Sequence, residues 1–544
     1  MQLDKWLATY PGHVHHDFDI PYISIPQMFE ETVHKYGEKE AISFYGKSIS
    51  YQQAAGMVIA FASALQKKGI GKGDRVAIML PNCPQYVVAY YGALKAGAII
   101  TQVNPMLVER ELDYILNDSG AETIVVFDAL YPRVKAVKGS TNLKQVITVS
   151  LHEEIMPDAE DHTFQQFLGM GTGEVLPVQI EPEHDIAVLQ YTGGTTGRSK
   201  GAMLTHRNLM ANIYQSYEFF KNEVQAGAER CLTVIPLFHV FGMTSCMNLT
   251  VLRGNSMIML PRFDLEEVMQ TIQREQPTIF PGVPTMYVAI TNHPKAEEYG
   301  ISSIRICNSG SAPMPVELLN EFERKTGAKI LEGYGLSEAA PTTHCNPPFG
   351  ERKPGSVGIG VPGTAYKIVD VATGKEEVPA GTLGEVIIKG PQVMKGYWNM
   401  PEETANTIRD GWLFTGDIAK VDKEGYLYIA DRKKDMIIAS GYNVYPRDIE
   451  EVLYEHEAIQ EAVVIGVLDP YRGETVKAFA VLKSGKSATE DEIISFCRSQ
   501  LASYKVPAII EFRDQLPKTS VGKILRRALR EEIVEKVNLK VNNL

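Results

Sequence analysis

Hydrophobic and polar positions follow two periods along the first two thirds of the chain. Apolar residues spaced three and four apart predict amphipathic helices, such as Ser50–Gly69 and Asp264–Gln276. Between such segments, short runs rich in β-branched residues predict strands. These runs are Arg75–Met79, Thr123–Val126, Gln145–Val149, Cys231–Ile235, Ser256–Met259, Thr278–Phe280 and Ile304–Asn308. Strands separated by helices predict α/β layers with largely parallel sheets.

The pattern changes after about residue 356. Short strands then follow one another through glycine turns, at Ala365–Val369, Gly384–Lys389 and Gly425–Ile429, which predicts a small β-rich lobe. A smaller α/β pattern begins after the charged segment Asp431–Asp435. Its predicted elements are helices Pro446–His456 and Thr489–Leu501 and strands Ile459–Gly466, Lys477–Leu482 and Ala508–Phe512. We place a domain boundary at this charged segment, although its composition also suits an ordinary surface turn.

Size and composition narrow the class of protein. A chain of 544 residues exceeds one ordinary core, so two or more domains are expected. The net charge of −12 argues against nucleic-acid binding and against tight attachment to an anionic membrane. The longest apolar stretch, Tyr86–Thr101, is interrupted by Lys95 and is too short to span a bilayer. Six scattered cysteines without metal-binding spacing are typical of reduced thiols in a cytoplasmic protein.

The strongest local signal is the segment Tyr191–Gly201, which follows an apolar strand and precedes a helix predicted from His206. Its glycines allow backbone N–H groups to approach an anion, and its hydroxyl and lysine side chains add donors and charge. The predicted phosphate-binding residues are Thr192, Gly193, Gly194, Thr195, Thr196, Gly197 and Lys200. The spacing is not that of a Walker A loop. A flexible linker is the alternative, and it fits this composition badly.

Six further motifs follow in order along the chain. They are Pro236–Val240, Asn308–Ala312, Glu332–Glu338, Gly411–Asp417, Asp431–Asp435 and Pro517–Lys523. With the glycine-rich segment they resemble the adenylate-forming superfamily of acyl-CoA synthetases, luciferase-like enzymes and adenylation domains. The stretch Asp431–Pro446 most resembles bacterial long-chain fatty-acid CoA ligases.

The resemblance implies a fold and a reaction. A large N-terminal domain, residues 1–432, would contain two α/β lobes and a β-rich lobe, and residues 433–544 would form a small mobile α/β domain. A fatty acid and ATP would give an acyl-adenylate and pyrophosphate, and coenzyme A would then give acyl-CoA and AMP. Mg²⁺ would be required, because the reacting groups are anionic.

The resemblance also assigns catalytic residues. Lys523 would bridge the carboxylate and the α-phosphate, a role that suits a flexible ammonium. Glu338 would hold Mg²⁺, and His239 would lie beside the acyl pocket and the reacting carboxylate. Each has a structural alternative, respectively a solvated surface lysine, an acid at a helix start and a satisfied core histidine.

The same resemblance assigns binding residues. Tyr334 would stack on adenine, Asp417 would accept hydrogen bonds from the ribose hydroxyls, and Arg432 would contact ribose or phosphate. The remaining nucleotide residues are Gly310, Ser311, Ala312, Glu332, Gly333 and Gly335. Asp431 stands where many relatives have glycine. Lys434 would be the hinge for domain rotation, and Gly441 would line the path of coenzyme A. The candidate acyl-pocket walls are Val240, Phe241, Met243, Gly282, Val283 and Leu336.

Several alternatives stay open at this point. The acid could be medium-chain or aryl, the acceptor could be a carrier protein, and the same scaffold supports luciferase-type oxidation. A catalytically silent acyl- or nucleotide-binding protein would lack Lys523, Glu338 or the phosphate loop, and all three are present. The expected partners are a fatty acid, ATP and coenzyme A, without nucleic acid. Chain-length preference, a homodimer and peripheral membrane contact are not determined by the sequence.

Overall fold

The computed structural model describes residues 6–151, 156–192, 199–312, 314–439, 442–469, 473–519 and 522–541. Its first strands are β1 Glu40–Phe44, β2 Lys47–Ser50, β3 Arg75–Met79, β4 Ile99–Gln102, β5 Thr123–Phe127, β6 Gln145–Val149, β7 His162–Thr163, β8 Ile186–Thr192, β9 Lys200–Thr205, β10 Arg230–Thr233, β11 Ser256–Met259, β12 Ile279–Gly282 and β13 Ile306–Ser309. The later strands are β14 Lys329–Gly335, β15 Thr342–Cys345, β16 Ile359–Gly360, β17 Ala365–Val369, β18 Gly384–Lys389, β19 Ile408–Arg409, β20 Trp412–Val421, β21 Leu427–Arg432, β22 Ile437–Ala439, β23 Tyr442–Val444, β24 Ile459–Asp469, β25 Gly473–Leu482 and β26 Ile509–Phe512.

Most of the α-helices lie in the connections between these strands, while the first precedes β1 and the last follows β26. They are α1 Ile25–Tyr36, α2 Tyr51–Lys67, α3 Pro84–Lys95, α4 Glu109–Ser119, α5 Tyr131–Lys138, α6 Phe164–Gly169, α7 His206–Phe220, α8 Leu249–Leu252, α9 Leu265–Glu275, α10 Pro284–Thr291, α11 Val316–Thr326, α12 Pro401–Thr407, α13 Pro446–Glu455, α14 Glu490–Gln500 and α15 Arg526–Val541. Helix α7 begins where Thr205 and Asn208 form a capping box.

Two large, mainly parallel sheets build the first two lobes. One has the strand order β7-β6-β5-β3-β4-β8-β9, and the other has the order β16-β15-β14-β13-β12-β10-β11-β1-β2. Only the pairs β8–β9, β1–β2, β14–β15 and β15–β16 of these two sheets are antiparallel within the described residues. The prediction of α/β layers with largely parallel sheets is confirmed.

Two smaller sheets complete the fold. Strands β17, β18, β20, β19 and β21 form an antiparallel sheet, which is the predicted β-rich lobe. Strands β23, β22, β25, β24 and β26 form the sheet of the C-terminal region, flanked by α13, α14 and α15. The large N-terminal part and small C-terminal part agree with the predicted fold class. Sheet membership changes between Arg432 and Ile437.

Two local features depart from the predicted pattern. Strand β9 was not predicted: it lies between the glycine-rich segment and helix α7, which begins at His206 as predicted, and it pairs antiparallel with β8. The buried positions of β9 do not alternate strictly, so its sequence carries only a weak strand signal. A π-helical segment, Gly242–Asn248, follows His239 and was also not predicted. Such segments have no distinctive periodicity in sequence.

The apolar cores are separate on the two sides of Lys434. Within the described residues, each cluster of buried apolar side chains belongs either to the region before Lys434 or to the region after it. All six cysteines are buried and unpaired. Among the helices that the structure describes, none combines the length and the apolar character needed to cross a bilayer.

Candidate active site

The predicted site residues gather at the carboxyl ends of parallel strands. Strand β8 ends at Thr192, β12 at Gly282 and β13 at Ser309, and β14 carries the Glu332–Gly335 motif. Gln190 of β8 donates through Nε2 to the Phe238 carbonyl at 3.1 Å and so joins the two large sheets beside His239. The crevice at such strand ends is where open α/β sheets bind ligands.

The two ends of the predicted phosphate loop are firmly held. Ser199 Oγ donates to the Thr192 carbonyl at 2.5 Å, and Thr192 pairs with Lys200 across β8 and β9. The Lys200 ammonium is paired with the Glu403 carboxylate and lies 5.2 Å from the centre of the Tyr397 ring. The other predicted phosphate residues, Gly193, Gly194, Thr195, Thr196 and Gly197, lie outside the described residues.

Two residues of helix α4, which were not predicted from the sequence, contact the ends of this loop. The Tyr114 hydroxyl donates to the Ser199 carbonyl at 3.0 Å, and the Tyr191 hydroxyl donates to Asp118 Oδ2 at 2.5 Å. Burial raises the pKa of Asp118. Tyr114 and Asp118 are one helical turn apart, so both face the loop. Nothing in the sequence of α4 links it to the distant glycine-rich segment.

Glu338 is oriented by another residue that the sequence did not reveal. The Tyr397 hydroxyl donates to Glu338 Oε1 at 2.8 Å, and the Met394 N–H donates to the Glu338 carbonyl at 2.8 Å. Glu338 Oε2 accepts no hydrogen bond from the described part of the chain. One oriented carboxylate with a free oxygen fits Mg²⁺, which commonly combines one or two carboxylates with phosphate oxygens and waters. The pairing of Tyr397 with Lys200 and Glu338 places the candidate metal ligand next to the phosphate loop.

Tyr334, Asp417 and Arg432 form one polar cluster. The Tyr334 hydroxyl donates to Asp417 Oδ2 at 2.5 Å, and Arg432 Nε lies 3.3 Å from Asp417 Oδ1. Asp417 and Arg432 are partners on the adjacent strands β20 and β21. Burial and the Asp417 charge raise the pKa of Tyr334. The structure therefore brings together three predicted nucleotide residues from two distant motifs.

The residues predicted to bind the purine lie next to the residues predicted to line the acyl pocket. The Gly310 N–H donates to the Gly282 carbonyl at 3.3 Å, and a Cβ at Gly310 would lie 3.4 Å from the Phe241 ring. Val240, Phe241, Met243 and Val283 are buried, whereas Leu336 is partly exposed. Ser311, two residues after β13 ends, has a φ of 68°, and Ala312 follows it. A Cβ at Gly282 would approach the Tyr287 ring to 2.8 Å, so this backbone is tightly packed.

Glu332 is a buried acid at the start of the Glu332–Glu338 motif. Its carboxylate is buried and accepts a hydrogen bond from the Gly355 N–H at 3.1 Å. Burial raises its pKa to about 8, and the charge of Arg447 in the C-terminal region opposes that rise. Gly333 packs beside Asn308, and a Cβ at Gly335 would overlap the Pro341 carbonyl at 2.2 Å. The roles of these three residues in nucleotide binding stay predictions.

Lys523 reaches the site on a tight turn of the C-terminal region. The Thr519 N–H donates to the Lys523 carbonyl at 2.7 Å, and the Lys523 N–H donates to Thr519 Oγ1 at 3.1 Å. A Cβ at Gly522 would lie 2.6 Å from Thr285 Oγ1, so the turn touches the start of α10. Burial and the Arg432 charge lower the pKa of Lys523 to about 8, with Asp417 opposing.

His239 lies close to this lysine. Burial, and then the Lys523 charge, lower the pKa of His239 to about 4. The Phe241 N–H donates to His239 Nδ1 at 3.2 Å, which leaves the proton of the neutral ring on Nε2. Lys523 therefore lies within electrostatic range of both Asp417 of the nucleotide cluster and His239 of the predicted acyl pocket. A neutral histidine suits a place that must admit an uncharged acyl chain.

Family models match both parts of this architecture. The model described as AMP-binding enzyme matches residues 29–398, and the model described as AMP-binding enzyme C-terminal domain matches residues 448–523. The chain belongs to the AMP-binding enzyme family. Its matched segments enclose the phosphate loop, the Glu332–Glu338 motif and Lys523.

Individual members of the AMP-binding enzyme family are similar over nearly the whole chain. A long-chain-fatty-acid–CoA ligase of Bacillus subtilis is 48% identical, covering 99% of this chain and 100% of the relative. One from Escherichia coli O6:H1 is 40% identical, covering 98% and 99%. The crystal structure of the anthranilate CoA ligase AuaEII with anthranoyl-AMP gives a TM-score of 0.88 at 29% identity, covering 96% of this chain and 99% of that one.

Two other predicted residues lie at the start of the C-terminal region of this AMP-binding enzyme. Lys434 is exposed between β21 and β22, and its neighbours Asp431 and Asp435 are buried. Gly441, predicted to line the path of coenzyme A, lies outside the described residues. An exposed position between two sheets suits a hinge, and that role stays a prediction.

Proposed function

We propose that the protein is an ATP-dependent long-chain fatty acyl-CoA ligase that acts through an acyl-adenylate. The full-length similarity to long-chain-fatty-acid–CoA ligases supports this substrate class. The observation that carries the mechanism is that the Lys523 turn packs against Thr285 at the start of α10, where the charges of Arg432 and Asp417 act on the Lys523 pKa. A mobile cation next to both a nucleotide cluster and an apolar wall is what adenylation of a fatty acid needs.

In the first step, a carboxylate oxygen of the acid attacks the α-phosphorus of ATP. The bond from the α-phosphorus to the bridging oxygen breaks, and pyrophosphate leaves with the electron pair. Tyr334 and Asp417 hold the nucleoside, and Lys200 turns from Glu403 toward the phosphates. The Lys523 ammonium lies between the two anionic reactants and stabilises the charge that develops between them. Mg²⁺ would be held by Glu338 and would neutralise phosphate charge.

In the second step, the thiol sulfur of coenzyme A attacks the acyl carbon. The thiol proton is released, and AMP leaves with the oxygen of the broken acyl–phosphate bond. We propose that residues 433–544 rotate about Lys434 between the steps, which withdraws Lys523 and brings Gly441 to the path of the thiol. The separate apolar cores on the two sides of Lys434 support such a rotation.

The experiment that tests this proposal is release of AMP by purified protein with ATP, Mg²⁺ and coenzyme A. Straight-chain acids from acetate to oleate and several aryl acids are compared. Release that peaks at long chains and requires coenzyme A is the expected result. A peak at medium-chain or aryl acids would retain the mechanism and replace the substrate, and release without coenzyme A would favour oxidation. No release with any acid would favour transfer to a carrier protein or a silent binding protein.

We also propose a cytoplasmic location. Six buried, unpaired cysteines suit a reducing compartment, which supports the cytoplasm. A homodimer and peripheral membrane contact are tested by sedimentation of the protein alone and with lipid vesicles.

A further inference from the structure

Helix α13 of the C-terminal region is capped by a residue from the other side of the hinge. The residue that precedes the helix, Tyr445, makes no side-chain cap. Instead, Asp431 Oδ2 accepts the N–H of Arg447, in the first turn of α13, at 3.2 Å. Asp431 belongs to β21, where it pairs with Ile418 of β20. An acidic cap at a helix N-terminus satisfies a free N–H and complements the helix dipole.

Two further polar contacts join β21 to the C-terminal region near this cap. Arg526 of α15 lies 3.7 Å from Asp431 Oδ1. Arg447 also donates through its guanidinium to the Ile429 carbonyl of β21 at 2.6 Å. Asp431 is buried, with 6% of its surface exposed, so these charged contacts are largely shielded from water. Strand β21 is therefore tied to α13 and α15 through one carboxylate and one carbonyl.

Asp435 offers an internal comparison, since it lies on the other side of Lys434. Its carboxylate lies 2.7 Å from Arg530 and 4.0 Å from Arg526, and it is buried as well. Both arginines belong to α15, which is on the same side of the hinge as Asp435. A rotation about Lys434 would leave the contacts of the Asp435 carboxylate with α15 intact and would separate Asp431 from Arg447 and Arg526.

The partners of Asp431 can tolerate that separation. Arg526 Nη2 also contacts both carboxylate oxygens of Glu450, at 2.8 and 2.7 Å, and Glu450 lies on α13. Arg526 would therefore stay paired after Asp431 has moved away. The Asp431 carboxylate itself would enter water, where its charge is hydrated. The contacts of Asp431 with Arg447 and Arg526 can therefore hold one orientation and can also break, because water and Glu450 replace them.

We propose that Asp431 is a positioning residue that holds the C-terminal region in the orientation that presents Lys523 to the site. The proposal rests on the two-step function described above. It predicts that removal of the Asp431 carboxylate shifts the orientation away from adenylation without removing any group that touches the substrates. The loss of a helix cap and a shielded charge contact corresponds to a change of about tenfold in the orientation equilibrium.

The test compares Asp431→Ala, Asp431→Asn and Asp435→Ala in the full-length protein. Pyrophosphate release with ATP, Mg²⁺ and oleate measures the first step, and thioester formation from supplied oleoyl-adenylate and coenzyme A measures the second. For Asp431→Ala we expect the first step to fall about tenfold and the second to be unchanged or faster. Asp431→Asn keeps an acceptor for the Arg447 N–H and should fall less. Asp435→Ala should change both steps alike, with lower thermal stability.

A second measurement follows the contact itself and does not depend on activity. Hydrogen exchange at the Arg447 amide should be slow in the wild type and faster in Asp431→Ala, while amides of β24 and β25 keep their protection. Equal loss of both steps in a folded Asp431→Ala variant, or an Arg447 amide that stays equally protected, would overturn the proposal. A wild-type protein with no adenylation would instead contradict the proposed function, and the exchange at Arg447 would still test whether Asp431 caps α13.

Discussion

The regions before and after Lys434 contribute to the candidate site by different means. The N-terminal region builds its share from the ends of parallel strands, which are fixed by large apolar cores on both sheet faces. The C-terminal region contributes Lys523 on a turn, and polar contacts hold it in place, including those of Asp431, Arg447 and Arg526. The nucleotide cluster is thus a permanent feature of the fold, whereas the lysine is held by contacts that can be exchanged for water.

This difference explains how one site can serve two chemical steps. Apolar cores resist displacement because moving them exposes apolar surface at about 25 cal/mol per Å². Polar contacts between regions cost less to break, since water replaces their hydrogen bonds. In the proposed rotation, Lys523 would leave without disturbing Tyr334 and Asp417.

Substitution of Lys523 should distinguish the contributions of the two regions most clearly. Lys523→Ala removes the cation between two anionic reactants, so the first step should fall about 10²–10³-fold. The second step, begun from supplied acyl-adenylate, should be unchanged, because it does not need this charge. Pyrophosphate release and thioester formation measure the two steps separately. Equal losses in both would contradict the assigned role.

Substitution of Tyr397 tests the part of the site that the N-terminal region forms by itself. Tyr397→Phe removes the hydrogen bond to Glu338 and leaves the ring beneath Lys200. A hydrogen bond to a charged group contributes about 1.5–3 kcal/mol, so the Mg²⁺ concentration for half-maximal rate should rise at least about tenfold. A titration of the first step with Mg²⁺ measures this. Tyr334→Phe is the matched control, and it should raise the KM for ATP instead, with the Mg²⁺ requirement unchanged.

The pH dependence of the first step tests the charge on Lys523. With a pKa of about 8, the lysine of the free enzyme is protonated and active below pH 8 and loses its proton as the pH rises above 8. The kcat/KM for ATP should therefore fall roughly tenfold between pH 7 and pH 9.

Two variants identify the group that titrates. Lys523→Arg should be slower at every pH but should not show this fall, because arginine stays charged. Glu332 also has a pKa of about 8 and would lose its proton in the same range. A fall that persists in Lys523→Arg and disappears in Glu332→Gln would assign the titration to Glu332 instead.

Gly522 should give the smallest effect, and a second glycine serves as its control. Gly522→Ala places a Cβ 2.6 Å from Thr285 Oγ1 at a φ of 74°. Gly485 has a φ of 76° but nothing within 4 Å of its Cβ position. Both substitutions should lower stability by about 1–2 kcal/mol, because the backbone is left-handed at both. Only Gly522→Ala should slow the first step, by about fivefold, and equal rates in the two variants would show that the turn does not need this contact.

The sequence by itself determined the order of elements and the reaction class. Periodicity alone predicted β3, β6, β11, β17 and β18 with the bounds that the structure has. The motifs from Tyr191 to Lys523 identified the family, because each keeps its chemistry within a few consecutive residues. The same patterns predicted the helix that begins at His206 but missed strand β9 before it, since the burial of β9 is irregular.

Only the tertiary structure decided which residues support those motifs. Asp118, Tyr397 and Glu403 reach the phosphate side from elements far away in the chain, and each looks like an ordinary surface or core residue in sequence. The capping of α13 by Asp431 is hidden for the same reason, because sequence periodicity describes one element at a time. Hydrogen bonds between elements depend on how sheets and helices pack, and that packing is set by the sum of many apolar contacts rather than by any local pattern.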